Sequence, residues 1–277
     1  MSLPTLFRPV LLAPSAQALC APHMARYLSG AAPSDPRAAH IGSFAGSGRR
    51  PYAVVSGVAV VPVSGLLVPA YPWIGDPWVT GYDALSCQVV EALDDSEVKA
   101  VCLTINSPGG LCEGLFDLCD GITAAKAAAK KPVAGICAET AYSAAYALGA
   151  VCDGLSVPRT GGVGSVGVYT AHMDVSRMMD TAGVTMTLVA AGAHKVDGHP
   201  YAPLPDDVRA DMQAQVEDLR LLFAETVARG RGLDVAAVLA TEARCYDGPR
   251  GTAEAVRLGL ADVVASPAAA FAALAAL

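Results

Sequence analysis

From Tyr52 to about residue 190 the chain repeats one pattern: a short, almost wholly apolar run, a turn, then a stretch with apolar residues three or four apart. "YAVVSGVAVVPVSG" reads as two short strands, and "VKAVCLTI" and "KPVAGICA" as buried ones. "GLSVPRT", "VGSVGVYT" and "VTMTLVAA" read as further strands. Between them "GYDALSCQVVEALDD" carries Leu85, Val89 and Leu93 on one helical stripe. "GLCEGLFDLCDGITAAKAAAK" and "SAAYALGAVC" read as helices, and "VSRMMDTAG" as another that stops at Gly183. Strands with one wet face alternate polar and apolar residues, and these do not. They therefore need cover on both faces, which is the property of βαβ units in an α/β fold.

The flanks differ. Residues 1–50 are rich in Pro, Ala, Ser and Gly and end in "GSFAGSGRR", which suggests an extended, loosely ordered arm. Its short apolar patch "VLLA" is broken by prolines and follows no Lys/Arg-rich start, so a secretory signal is not expected. A long amphipathic helix is expected at about 205–230, with Val208, Met212, Val216, Leu219 and Phe223 near one stripe. Shorter helical elements follow in "DVAAVLATEA" and "GTAEAVRLGLADVV", and 266–277 reads as a helix or the start of a linker toward a further region.

With 277 residues, 53% hydrophobic and 16% charged, the chain has ample core and much surface suited to burial in an assembly. A net charge of −7 argues against nucleic-acid binding, and no apolar run reaches membrane-spanning length. The eight cysteines form no CxxC pair and most sit in apolar segments, as buried reduced thiols do. The five histidines lack zinc-site spacing, so no metal and no cofactor is expected.

Three stretches bear on chemistry. "INSPGG", Ile105–Gly110, follows a buried strand and precedes a helix; Pro108 is expected to end the strand and the glycines to turn the backbone so that N–H groups point outward. Such a turn is an ordinary βα connection or a holder of developing negative charge. It matches no phosphate loop. In "AETAYSAAYALGA", Ser143 falls where a strand meets a helix, at the sheet edge where ligands of open α/β folds bind, with the N–H of Ala144 beside it. It is equally well an N-cap or a packing serine. Lys195, in "AAGAHKVDG", follows an apolar run through a small-residue turn. A lysine acts as a base only where burial favours its neutral form, and read singly it is a solvated charge. Ser165, in "GGVGSVGV", either orients an amine or is a Gly-flanked strand serine. His172, in "YTAHMD", is the one histidine near an aspartate in a core-like stretch, and it follows a strand too closely to make a good base.

Taken in order and spacing, "INSPGG", "AYSAAYALGAVCDGLSVPRTGGVGSVGV" and "GAHKVDG" resemble the S49 serine peptidases related to signal peptide peptidase A, over about Tyr52–Val264. The stretches around Lys195 and "TEARCYDGPRGTAEAVRLGLADVV" are most similar to the phage capsid assembly proteases of the lambda protein C type. The resemblance implies a ClpP/crotonase-type spiral of ββα units with a C-terminal helical extension, and a peptidase domain over 51–265. It implies a Ser–Lys dyad of Ser143 and Lys195, with Gly109, Gly110 and Ala144 forming the oxyanion hole and Ser165 orienting the lysine. Where such enzymes often have Gly-Gly after the serine, this chain has Ala144 and Ala145.

An extended substrate would pair with Ser107, Pro108, Gly164, Val166 and Gly167 as an added strand, and small side chains such as Ala are expected before the cut. Implied partners are scaffold, capsid or portal proteins inside a phage procapsid in the host cytoplasm, and a homo-oligomeric ring in which neighbours share sites. A bacterial signal-peptide-type peptidase, a non-catalytic capsid assembly protein and, more weakly, an acyl-CoA crotonase are the alternatives.

Overall fold

The apolar strands are indeed covered on both faces. A computed structural model describes residues 10–13 and 17–277. The arm expected over residues 1–50 lies partly outside these. Its described part holds β1 (Val10–Leu12), α1 (Gln17–Leu28) and β2 (Ala39–His40). β1 pairs with the domain, and α1 sets Cys20, Met24 and Tyr27 against Leu66, Val68, Tyr71, Val79 and Leu111. Arg26 forms an ion pair with the buried Asp76, which also accepts from the Tyr71 hydroxyl (2.6 Å). β1 before α1 and Arg26 near its end are thus both held against the body.

The repeating region begins with β3 (Ala53–Val55) and β4 (Val58–Val68), an antiparallel pair, followed by β5 (Trp73–Ile74) and β6 (Val79–Gly81). Next come α2 (Tyr82–Asp94), β7 (Ala100–Leu111), α3 (Leu115–Ala129), β8 (Val133–Tyr142), α4 (Ala144–Ala150), β9 (Gly154–Val157) and β10 (Gly162–Gly164). β4, β7 and β8 run parallel, with Val61 opposite Leu103 and Leu103 opposite Gly135. On one face α2, α3 and α4 bury Leu85, Val89, Leu115, Ile122 and Leu148 against Val61, Leu103 and Ile105.

The rest of the chain adds α5 (Ser176–Thr181), α6 (Asp206–Arg231), α7 (Val235–Leu239), β11 (Cys245–Asp247), α8 (Gly248–Arg257), β12 (Val263–Val264) and α9 (Pro267–Ala275). α9 covers the opposite face of the sheet, where Leu274 meets Val58, Ala100, Cys102 and Ile136. The last turns of α6 bury Phe223, Ala224 and Val227 in the main core. The result is a mixed α/β architecture around a ten-stranded sheet in the order β11-β10-β8-β7-β4-β3, with β1 beside β7, β6 beside β4, β9 beside β8 and β12 beside β9. All eight cysteines are free thiols, and burial pushes Cys102 and Cys152 up to about 12, which keeps them protonated and unreactive. Among the described residues no helix is long and apolar enough to cross a membrane.

Three expectations need correction. "VGSVGVYT" is a strand only at its start: β10 ends at Gly164, and the backbone turns at Ser165, whose φ is 60°. Pro108 does not end its strand: β7 runs on through "SPGG" to Leu111, because Leu66 and Leu67 pair with Gly109 and Gly110 across a register shift. "VTMTLVAA" forms no strand, and every residue from 180 to 195 is exposed. A strand needs a ladder partner for its backbone groups. Here the outer edge of β10 is already taken by β11, with Val163 opposite Tyr246.

Candidate active site

β7 and β8 part company at one point, and Ser143 stands there. Ser107 pairs with Ala141, then β8 ends at Tyr142 and the chain turns into α4. The turn is made at Ser143, whose φ of 53° and ψ of −119° lie outside the ordinary regions for a side-chain-bearing residue. Holding it there costs about 1–3 kcal/mol, a strain of the kind found where a nucleophile is carried on a sharp strand-to-helix elbow. Its N–H donates to the Gly164 carbonyl (2.8 Å), which ties the elbow to β10. The side chain is 1% exposed and Oγ has no hydrogen-bond partner among the described residues. A packing serine bonds back to a carbonyl one turn earlier, and an N-cap serine accepts from the first turn of its helix. Ser143 does neither.

The edge of β7 beside the elbow is shaped by small residues. A Cβ on Gly110 would lie 1.9 Å from the Leu67 carbonyl oxygen, so only glycine lets β4 and β7 approach so closely. Ser107 is fully buried; its Oγ donates to the Gly65 carbonyl (2.7 Å) and accepts from the Gly109 N–H (3.1 Å). The Gly109 N–H is thus occupied by Ser107 and β1 pairs Leu11 with Gly110, which leaves Ala144, at the start of α4, as the expected oxyanion donor whose N–H is not claimed. Pro108 presents its carbonyl along the same edge.

Opposite this edge, Gly164 pairs with Tyr142 and approaches the Arg244 carbonyl, where a Cβ would sit 2.6 Å away. Val166 is buried and Gly167 half-buried along the chain leaving β10. The Tyr142 hydroxyl donates to the Asp247 carboxylate, and burial together with that carboxylate pushes the phenol well up. Ser165 hydrogen-bonds the Cys245 thiol; burial leaves that thiol raised on balance although Ser165 pulls the other way. Ser165 does not hold Lys195 within one chain.

Lys195 lies in a different setting. It belongs to a turn in which its N–H donates to the Gly192 carbonyl (3.2 Å) and His194 Nδ1 pairs with Asp197 (2.8 Å). That carboxylate raises the His194 imidazole. The Lys195 side chain is exposed, and since Ser143 Oγ has no partner among the described residues, which include Lys195, the amine is not on the serine within a single chain. Before it run exposed apolar residues, Val184, Met186, Leu188 and Val189, the last 95% exposed. His172 is engaged in the same segment, its Nε2 meeting the His199 carbonyl at 3.0 Å. Among the described residues no cluster of His, Cys, Asp or Glu is arranged to hold a metal ion.

One participant was not singled out in the sequence. β1 pairs antiparallel with the "GGL" end of β7, Leu11 opposite Gly110 and Leu12 opposite Gly109. The "VLLA" patch bounded by prolines was its only signal, and a four-residue apolar run between prolines is what a short edge strand looks like.

Peptidase family S49 matches residues 125–277. The chain is 42% identical over 222 residues to head-tail preconnector protein GP5 of Enterobacteria phage P21, covering 78% of this chain and 42% of that protein. It is 38% identical over 217 residues to capsid assembly protease C of Escherichia phage lambda, covering 77% and 47%. It is 30% identical over 181 residues to a putative signal peptide peptidase SppA of Enterococcus faecium, covering 64% and 50%. The chain thus spans less than half the length of the two phage relatives.

Proposed function

Because the chain belongs to peptidase family S49, we propose that it is a serine endopeptidase whose Ser143 and Lys195 form a dyad only when copies of the chain assemble, and that it processes scaffold, capsid or portal proteins within a phage procapsid in the host cell. The observation that carries the reading is Ser143 itself: a strained elbow residue with a buried hydroxyl that no described group satisfies. An unsatisfied buried hydroxyl costs about 1–3 kcal/mol, a cost that a base arriving from outside removes. The exposed apolar run that precedes Lys195 supports delivery by a neighbour, since contiguous exposed apolar side chains mark a contact surface. The parallel β4, β7 and β8, each followed by a helix or turn, fit the ββα spiral expected from the family resemblance. The names of the two phage relatives support the setting in head assembly.

In this reading a lysine taken out of water under a neighbouring copy is favoured in its neutral form and accepts the proton of Ser143 Oγ. The alkoxide oxygen attacks the scissile carbonyl carbon, and the N–H of Ala144 at the elbow holds the oxyanion. Collapse breaks the C–N bond as the Lys195 ammonium protonates the leaving amine, giving an acyl-serine. Water, losing a proton to Lys195, attacks that ester; the Lys195 ammonium returns the proton to the departing Ser143 oxygen, and the product acid ionises to a carboxylate. The test is intact-mass analysis of scaffold and capsid substrates incubated with wild type, Ser143→Ala and Lys195→Ala. Both variants are expected to lose at least about 10³-fold in rate while folding normally. Cutting by Ser143→Ala at the wild-type rate would overturn the reading.

A further inference from the structure

The edge of β7 that β8 vacates is not empty. β7 has β4 on one side, with Leu66 and Leu67 opposite Gly109 and Gly110, so β1 must take the other side, the side of β8 and Ser143. The Ala13 N–H donates to the Pro108 carbonyl (2.9 Å), and Ala13 is fully buried. Bonded and non-bonded pairs alternate along an antiparallel ladder, so the bond at Ala13 and Pro108 makes Leu11 and Gly110 the next bonded pair. The Gly110 N–H therefore faces the Leu11 carbonyl. β1 runs from Leu111 toward Pro108, and parallel β8 brings Ser143 to that same end of the ladder. An extended polypeptide approaching the serine from its N-terminal side would lie on this edge in this direction, and the residue at that end of the ladder, opposite Pro108, is the buried Ala13.

We propose that Val10–Ala13 is a resident strap in the peptide groove, seated as the residues on the N-terminal side of a scissile bond would be, and that it excludes other polypeptides until it leaves. The proposal rests on the peptidase reading for its consequence but not for the seat. The strap has its own anchor: α1 follows it and is fixed by the Arg26–Asp76 pair, by the stacking of His23 on Trp78 at 4.7 Å, and by the burial of Cys20. Sequence bounds it too, because Pro9 and Pro14 have no N–H with which to extend the ladder. A tethered segment competes at an effective concentration in the millimolar range, so release should raise kcat/KM by about tenfold or more.

The test uses a fluorescein-labelled peptide of residues 8–15, "RPVLLAPS", and the Ser143→Ala background so that nothing is hydrolysed. Anisotropy should show saturable binding to a chain beginning at Gln17 and none to the full chain. Ala13→Asp in the full chain retains α1 and disfavours only the seated strap, since a charge cannot be buried there without a partner. It should also take up the peptide, and in the Ser143 background it should cut substrate about tenfold faster than wild type. Peptide binding without any cleavage would sink the peptidase reading and keep the strap. Equal peptide binding by the wild-type full chain and Ala13→Asp, or binding by neither Ala13→Asp nor the shortened chain, would overturn the strap.

Discussion

Every residue of α4, directly after Ser143, is buried, whereas every residue from 180 through Lys195 is exposed. The first region is completed by its own chain: Ser143 N–H to Gly164, Ser107 bracing Gly65 and Gly109, and Tyr146 deep in the core donating to the Leu260 carbonyl (2.8 Å). The second has the apolar composition of a core strand and no ladder partner among the described residues, and β11 has taken the edge of β10. The contrast separates what a single chain can hold rigid from what it leaves to be completed. A nucleophile must sit in a fixed strained geometry, and that requires a fully packed support. A lysine that must be desolvated can instead arrive on a surface that becomes interior only on assembly.

Three substitutions probe the contrast from either side. Gly110→Ala attacks the packed half: its Cβ would fall 1.9 Å from the Leu67 oxygen, so β4 and β7 must separate. We expect at least about 3 kcal/mol of lost folding stability in denaturant melts, together with loss of cutting. Leu188→Asp attacks the exposed half. The isolated chain should fold unchanged, while assembly measured by sedimentation weakens at least about 30-fold, in line with a hot-spot cost of about 2 kcal/mol. If Leu188→Asp instead destabilised the monomer and left assembly intact, the exposed run would be misread. The smallest effect concerns strain. Ser143→Gly should melt as the more stable protein by about 1 kcal/mol relative to Ser143→Ala, since glycine tolerates the positive φ and alanine does not. Equal stability would mean that the elbow relaxes.

The parallel strands and their helices were legible because both-face burial leaves a direct mark, an apolar run without alternation, as in Val101–Leu103. Helix stripes such as Leu85, Val89 and Leu93 were legible for the same reason, and all three are buried. "VTMTLVAA" carried an identical mark and forms no strand, since composition reports that a segment is to be buried and not against which chain. The extent of β7 was hidden by Pro108, which reads as a stop; a proline tolerates this place because the edge it faces offers it only an acceptor role, its carbonyl taking the Ala13 N–H. Ser143 was visible at the strand–helix junction, but its unpartnered hydroxyl and positive φ are properties of three-dimensional packing. The seat of Val10–Ala13 on the "GG" edge was illegible, because a backbone ladder between segments about a hundred residues apart leaves no side-chain pattern in either.

The most direct measurement is complementation. Ser143→Ala and Lys195→Ala chains are co-expressed with different tags, mixed assemblies are isolated through both tags, and cleavage is read by intact mass. Each variant alone should be silent. If Ser143 of one copy works with Lys195 of the next, random assortment should restore about a quarter of the wild-type activity per chain. Mixed assemblies as silent as either parent, or a Lys195→Ala protein that cuts on its own, would contradict the account.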